Sequence, residues 1–181
     1  MALETGPNNQ KRRMNMKSIL ESIHPVHCGN SSFVAANEDI FNGSPTTDVI
    51  NLKNADGVVF EVLTNANAGS GAATITIEAC DDTTPSNTTA VAFRYKVVSS
   101  GDTQGAVTAC ASTGLSVGTA NRIVLIEVDA ATVAAAAVNS TYGNSYVRLK
   151  ATETQSDAVD GSITAKLINL RYQELTATQL T

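Results

Sequence analysis

Short segments in which apolar and polar residues alternate, separated by polar turns, dominate this chain of 181 residues. Alternation with a period of two places the apolar side chains on one face of a β-strand. The clearest case is residues 74–80, where Ile75, Ile77 and Ala79 share one face and polar residues form most of the other. Turn-forming clusters such as residues 54–57 interrupt the pattern. The chain is therefore predicted to be an all-β protein.

Eight segments have the composition of strands and are separated by polar turns. They are residues 48–53, 58–63, 74–80, 90–98, 106–112, 122–128, 146–150 and 162–172. The 122–128 segment is apolar enough to be a central strand, and the Gly69–Gly71 loop is interpreted as a hairpin connection. Residues 130–138 are alanine-rich and are predicted to form a short helix capped by Asp129. Together these features predict an antiparallel β-sandwich, jelly-roll-like in type.

The first 23 residues differ from the rest and are predicted to form an extended N-terminal arm, followed by a sandwich domain over residues 24–181. Residues 14–23 carry apolar side chains at helical spacing, but a helix this short is not stable alone. We expect the arm to order against a partner, although a solvated terminus is the alternative. Its candidate partner-binding residues are Lys11, Arg12, Arg13, Met16, Lys17, Ile19, Leu20 and Ile23.

Charge and composition limit the classes of partner. The net charge is −5, and from residue 24 onward acidic residues outnumber basic ones by about two to one. This balance argues against binding of a nucleic-acid backbone as the main role. Three cysteines without a paired spacing, Cys28, Cys80 and Cys110, argue against a disulfide framework. No apolar run reaches the length of about 18 residues needed to span a bilayer, so no membrane partner is expected.

A search for catalytic or metal-binding patterns finds little. His24, His27 and Cys28 form a cluster of ligand-type residues, but no fourth zinc ligand is evident and a local turn is the preferred interpretation. Glu78, Asp81 and Asp82 lack the spacing of a calcium loop and are interpreted as a solvated turn. No nucleophile elbow accompanies the Ser, His and Asp residues. The sequence therefore predicts neither an enzyme nor a cofactor-binding protein.

The few aromatic residues bear on carbohydrate or single-strand binding, which usually needs exposed stacking platforms. The chain has no tryptophan. Phe60, Phe93 and Tyr146 lie within strand patterns and are predicted to be core residues. Tyr142 and Tyr172 remain as candidate surface contacts, so a carbohydrate- or receptor-binding sandwich stays open as an alternative.

Two stretches of the sequence resemble a family of small virion proteins of tailed bacteriophages. The first is TDVINLKNADGVVF at residues 47–60, and the second is ITIEACDDTTPSNTTAVAFRY at residues 75–95. The similarity continues through residues 122–130 and 146–150 and covers roughly residues 45–170. Its most specific part is E-x-C-D-D-x-T-P-S-N followed by A-x-x-F-x-Y.

Members of this family are capsid decoration or cement proteins, which sit as trimers on the capsid and clamp neighbouring major-capsid subunits. The resemblance implies a non-enzymatic structural protein that forms a homotrimer, binds the major capsid protein, and resides on the virion after synthesis in the host cytoplasm. A head-fibre base, a head–tail adaptor or a tail component is the alternative within the virion. The arm lies outside the resemblance, so its capsid-binding role is an inference from its composition.

Overall fold

The structure, a computed structural model, describes residues 24–26, 39–65, 69–99, 101–136 and 146–170. Within these ranges the chain forms twelve strands and one short helix. The strands are β1 (His24–Val26), β2 (Ile50–Asn51), β3 (Gly57–Thr64), β4 (Ala72–Cys80), β5 (Thr88–Val91), β6 (Phe93–Ser99), β7 (Thr103–Gln104), β8 (Thr108–Cys110), β9 (Leu115–Gly118), β10 (Arg122–Asp129), β11 (Tyr146–Gln155) and β12 (Gly161–Ile168). The helix is α1 (Ala130–Ala135).

The strands form two antiparallel sheets. The seven-stranded sheet has the order β1-β12-β3-β10-β6-β7, and β8 also pairs with β6. The five-stranded sheet has the order β2-β11-β4-β5, and β9 also pairs with β4. The prediction of an all-β protein with two antiparallel sheets is confirmed. The prediction that residues 122–128 form a central strand is also confirmed, because β10 lies between β3 and β6.

One apolar core lies between the inward faces of the two sheets. Val58, Phe60 and Val62 contribute to it from β3, and Ile75 and Ile77 contribute from β4; all are fully buried. The alternation read from the sequence thus places every second side chain of these strands in the core. Each fully buried side chain of this size stabilises the fold by about 1.5–3 kcal/mol.

The segment 90–98, predicted as one strand, is two strands in different sheets. Residues up to Val91 belong to β5 in the five-stranded sheet, and Phe93 begins β6 in the seven-stranded sheet. The chain crosses between the sheets at Ala92. The continuous run of strand-forming residues conceals this crossing, because no Gly, Pro or Asn marks it.

The prediction of a hairpin at Gly69–Gly71 is also wrong, because the loop joins β3 to β4 and these strands lie in different sheets. Glycine is required here by close packing. A Cβ on Gly71 would lie 1.8 Å from the carbonyl oxygen of Asp157. The carboxylate of Asp157 accepts hydrogen bonds from the backbone N–H (2.8 Å) and the hydroxyl (3.0 Å) of Ser70. Residues 69–71 are therefore held against the segment that joins β11 to β12.

The helix begins where the sequence predicts. The carboxylate of Asp129 accepts a hydrogen bond of 2.6 Å from the backbone N–H of Thr132, so Asp129 is the N-cap. The helix ends at Ala135, and residues 137–138 of the predicted helix lie outside the described residues. No helix in the described ranges is long and apolar enough to cross a membrane.

A second crossing between the sheets lies close to the first. β8 belongs to the seven-stranded sheet and β9 to the five-stranded sheet, so the chain changes sheets between residues 111 and 114. Gly114 makes this turn with φ +96°, a conformation that side chains disfavour, and its N–H donates to the carbonyl of Ala111 (3.1 Å). Phe93 follows the first crossing and pairs with Cys110 of β8, so the end of β5 and the end of β8 lie on one side of the molecule.

Candidate interaction surfaces

The outward face of the seven-stranded sheet is the broadest regular surface of the described chain. Strand register fixes its members. Ser162 lies opposite Leu63, Leu63 opposite Ile123, and Ile123 opposite Val98, which gives a row across four strands. We call this surface the outer sheet face. Its residues are Val59, Glu61, Leu63, Arg94, Lys96, Val98, Ile123, Leu125, Glu127, Ser162, Thr164 and Lys166.

The outer sheet face is more apolar than the solvent side of an antiparallel sheet usually is. Leu63 is 44% exposed, and its neighbours Ile123 and Leu125 are only half-buried. These residues alternate with core residues along β3 and β10, so both faces of the two central strands carry apolar side chains. A sheet with apolar residues on both faces is typical of one whose second face is also covered.

Charges on the outer sheet face are largely paired. Arg94 Nη2 lies 3.1 Å from Glu127 Oε1 on the adjacent strand, and Lys166 forms an ion pair with Glu61. Including Lys96, the face carries three basic and two acidic groups, in contrast to the acidic chain as a whole. Exposed ion pairs of this kind contribute about 0–1 kcal/mol each. The face is thus nearly neutral and requires little desolvation of unpaired charge to be covered by a partner.

A buried ion pair lies on the outward face of the five-stranded sheet. Arg148 Nε and Nη2 lie 2.8 and 2.7 Å from Glu78 Oε2, and Lys150 Nζ lies 3.6 Å from Glu78 Oε1. The Glu78 side chain is only 9% exposed. The sequence placed Glu78 beside Asp81 and Asp82 as part of a solvated turn. That interpretation is wrong for Glu78, because its partners come from β11, far along the chain.

The cysteines in the described ranges, Cys80 and Cys110, are free. Burial raises the pKa of the Cys80 thiol to about 12; Arg148 opposes the shift, whereas Glu78, Asp81 and Asp82 add to it. Burial also raises the pKa of Cys110. Both thiols are therefore protonated at neutral pH and are poor nucleophiles.

The acidic loop after β4 is organised around one carboxylate. Asp81 accepts hydrogen bonds from the backbone N–H groups of Ser86 (3.1 Å) and Asn87 (3.1 Å) and from the Asn87 side-chain amide (2.9 Å). Asp82 accepts one from the N–H of Thr84 (2.7 Å). The prediction of a turn at this position is confirmed for Asp81 and Asp82. Both carboxylate oxygens of Asp81 and one of Asp82 accept hydrogen bonds from within the loop.

The hydrogen bonds to Asp81, above all that from the Asn87 side chain, lower the pKa of its carboxyl group. A group with a lowered pKa in the folded state stabilises the fold above its unfolded pKa, and this contribution is lost as the pH falls through the folded pKa. We expect Asp81→Asn to lower the urea midpoint at neutral pH. The difference from wild type should shrink steadily in acid and vanish below the folded pKa. A difference that is independent of pH would contradict this role.

Other ligand-type residues do not converge in the described part of the chain. No group of three His, Cys, Asp or Glu side chains is arranged to hold a metal ion there. His24 is half-buried in β1 opposite Leu167, while His27 and Cys28 lie outside the described residues. A cleft of about 370 Å³ between Ser44 and residues 153–156 is open and mainly polar.

The remaining predicted contact residues lie outside the residues that the structure describes. All eight candidates of the arm, from Lys11 to Ile23, fall there, as do Tyr142 and Tyr172. The prediction of core aromatic residues is confirmed for Phe60 and Phe93, but it is wrong for Tyr146, which is half-buried and lies outside the core cluster. The sequence analysis did not predict the outer sheet face. It could have been recognised from Val58-Val59 and Leu125-Ile126, because two consecutive apolar residues in a strand place an apolar side chain on each face of the sheet.

Comparison with protein-family models, with curated proteins and with solved structures found no match for this chain. The functional argument therefore rests on the residues of the chain itself.

Proposed function

We propose that this chain is a structural protein of a tailed-bacteriophage virion that binds the outer capsid surface and cements neighbouring major-capsid subunits. In this proposal it is a homotrimer with a jelly-roll-like sandwich, has no catalytic role and needs no cofactor. The outer sheet face carries the argument, because it is broad and nearly neutral, and an apolar row of Leu63, Ile123 and Val98 crosses three strands at one end of it. The resemblance of residues 45–170 to decoration proteins is the reason for proposing the major capsid protein as the partner.

The chemistry of this surface suits a protein that is held against a lattice. Interfaces of this kind combine an apolar centre with paired or peripheral charges. Leu63, Ile123 and Val98 form the apolar part at one end of the outer sheet face, and the ion pairs Arg94–Glu127 and Lys166–Glu61 lie further along the same face. A protein that binds the assembled shell but not free subunits stabilises the shell by mass action. Repetition by symmetry then gives avidity from individually modest contacts.

The test is occupancy on purified particles from which the protein has been removed. Wild-type protein should rebind across the shell and raise the temperature at which the particles break open. Leu63→Glu should reduce occupancy by on the order of tenfold or more, because it places an unpaired charge in the apolar row of this face. Thr152→Glu is the matched control, since Thr152 is exposed on the other sheet and paired with Thr74.

The outcomes separate the parts of the proposal. Wild-type protein that fails to rebind, or that is found in a few copies at the neck or tail, contradicts the cement role. Normal occupancy of Leu63→Glu would instead exclude the outer sheet face as the contact. A chain lacking residues 1–23 tests the arm in the same assay: we expect a folded domain with reduced occupancy, and full occupancy would exclude the arm as a tether.

A further inference from the structure

The side of the molecule where β5 and β8 lie is open, and these two strands contain no charged residue. Thr88, Thr89 and Ala90 of β5 are exposed, and so is every residue from Gly101 to Ala109. Val107 is 62% exposed, more than Leu63. We call residues 88–91 and 103–112 the neutral edge. The sequence contains no Asp, Glu, Lys, Arg or Pro between Thr103 and Asn121, which is unusual for a solvent-exposed stretch.

Both strands of the neutral edge have an unused side. Among the described strands, β5 pairs only with β4, and β8 pairs only with β6. Alternate backbone N–H and C=O groups of an edge strand point away from the sheet and can pair with another strand. A one-residue register shift around Gly105, whose N–H donates to Val97 (2.8 Å), separates β8 from β7. The open segments are therefore short but well defined.

Proteins normally protect such edges with charges, proline or very short strands. The far edges of the two sheets follow that rule. β1, at the far edge of the seven-stranded sheet, contains Pro25 in its centre, and β2, at the far edge of the five-stranded sheet, has two residues and is followed closely by Lys53. The strands of the neutral edge are also short, with four residues in β5 and three in β8, but they lack the proline and the adjacent charge found at the far edges. This contrast indicates that it is covered in the working protein.

We propose that the neutral edge is the contact between copies of this chain, with the two open strands facing a symmetry axis. The chain carries a net charge of −5, so two copies repel each other as whole molecules, and an uncharged contact surface adds no close like-charge pairs to that repulsion. The neutral edge is such a surface, and its small Ala and Thr side chains permit close backbone approach. Because each copy offers two open strands on one side, one can pair with each neighbour in a closed ring.

This inference deepens the homotrimer of the proposed function by naming its contact surface, but its test needs no capsid. The mass of the purified full-length chain is measured by native mass spectrometry and light scattering. Wild type is expected to be a closed oligomer of three copies. Val107→Lys and Thr88→Lys should each weaken self-association by on the order of tenfold or more, because they place a charge in the contact.

Thr152→Lys is the matched control, since it adds the same charge at an exposed position away from the neutral edge. Circular dichroism establishes that each variant is folded. A monomeric wild type, an oligomer unaffected by Val107→Lys, or equal weakening by Thr152→Lys overturns the proposal. A monomer that instead captures a foreign extended peptide at this edge also overturns it.

Amide hydrogen exchange of wild-type protein provides a second measurement that needs no variant. Exchange of the amides in residues 106–110 should slow as protein concentration rises, because pairing with a second copy protects them. Amides of the outer β1 strand should not change. Exchange at residues 106–110 that is independent of concentration overturns the proposal even if the variants fail to fold.

Discussion

Gly71→Ala is expected to lower the free energy of unfolding by about 3 kcal/mol or more. The added methyl group would lie 1.8 Å from the carbonyl oxygen of Asp157 and 2.7 Å from the side chain of Val159. The first contact is with backbone, so no rotation of a side chain relieves it. The loop and the segment joining β11 to β12 must separate, which also breaks the Ser70–Asp157 hydrogen bonds. Urea and thermal unfolding measure the loss.

The matched control for Gly71 is Gly118→Ala in β9. There the nearest atoms to the added methyl group are the Gly71 carbonyl oxygen at 3.3 Å and the Ala72 Cβ at 3.8 Å. Small adjustments accommodate these distances, so the change should be within about 1 kcal/mol of wild type. Equal stability of the two variants would show that the loop is not packed against Asp157 as described.

Arg148→Met should be the most damaging single change on the outward face of the five-stranded sheet, at about 3 kcal/mol. It leaves the Glu78 carboxylate, which is 9% exposed, with only Lys150 at 3.6 Å. Removing one partner of a buried ion pair leaves an uncompensated charge, whereas replacing both partners with apolar residues is often nearly neutral. Chemical denaturation of each variant measures the difference.

The double variant Glu78→Met/Arg148→Met tests whether the unpaired charge of Glu78 causes the loss of stability. It should recover most of the stability lost by Arg148→Met, because no buried charge remains. Lys150→Met is the comparison within the cluster: Lys150 is 39% exposed and makes the longer contact, so its loss should be about 1 kcal/mol or less. A double variant that is as unstable as Arg148→Met would indicate that Arg148 acts through packing of its side chain and not through its charge.

Local chemistry explains what the sequence predicted correctly. The Ile75/Ile77/Ala79 alternation identifies the core face of β4 without knowledge of any partner strand. Asp129 caps α1 through a hydrogen bond to a residue three positions later, so the signal and the structure lie in the same short segment. At these positions, the residues of the segment itself were sufficient to predict its structure.

Errors arose where long-range pairing decides the outcome. Nothing in the run from Thr88 to Ser99 marks Ala92 as the crossing point, and nothing near Gly69 shows that β3 and β4 belong to different sheets. Glu78 gave the same difficulty, since its burial depends on Arg148 and Lys150 reaching it across the β4–β11 register. The outer sheet face was missed for the same reason, because it exists only once β3, β10 and β12 are aligned.

The position of β3 has a consequence for how the chain acquires its structure during synthesis. β3 lies between β10 and β12, and both are made much later than β3. Until Ile168 has left the ribosome, one hydrogen-bonding side of β3 has no native partner. The seven-stranded sheet therefore closes only after β12 has been made, and a nascent chain stalled before β12 should depend on chaperones to avoid aggregation.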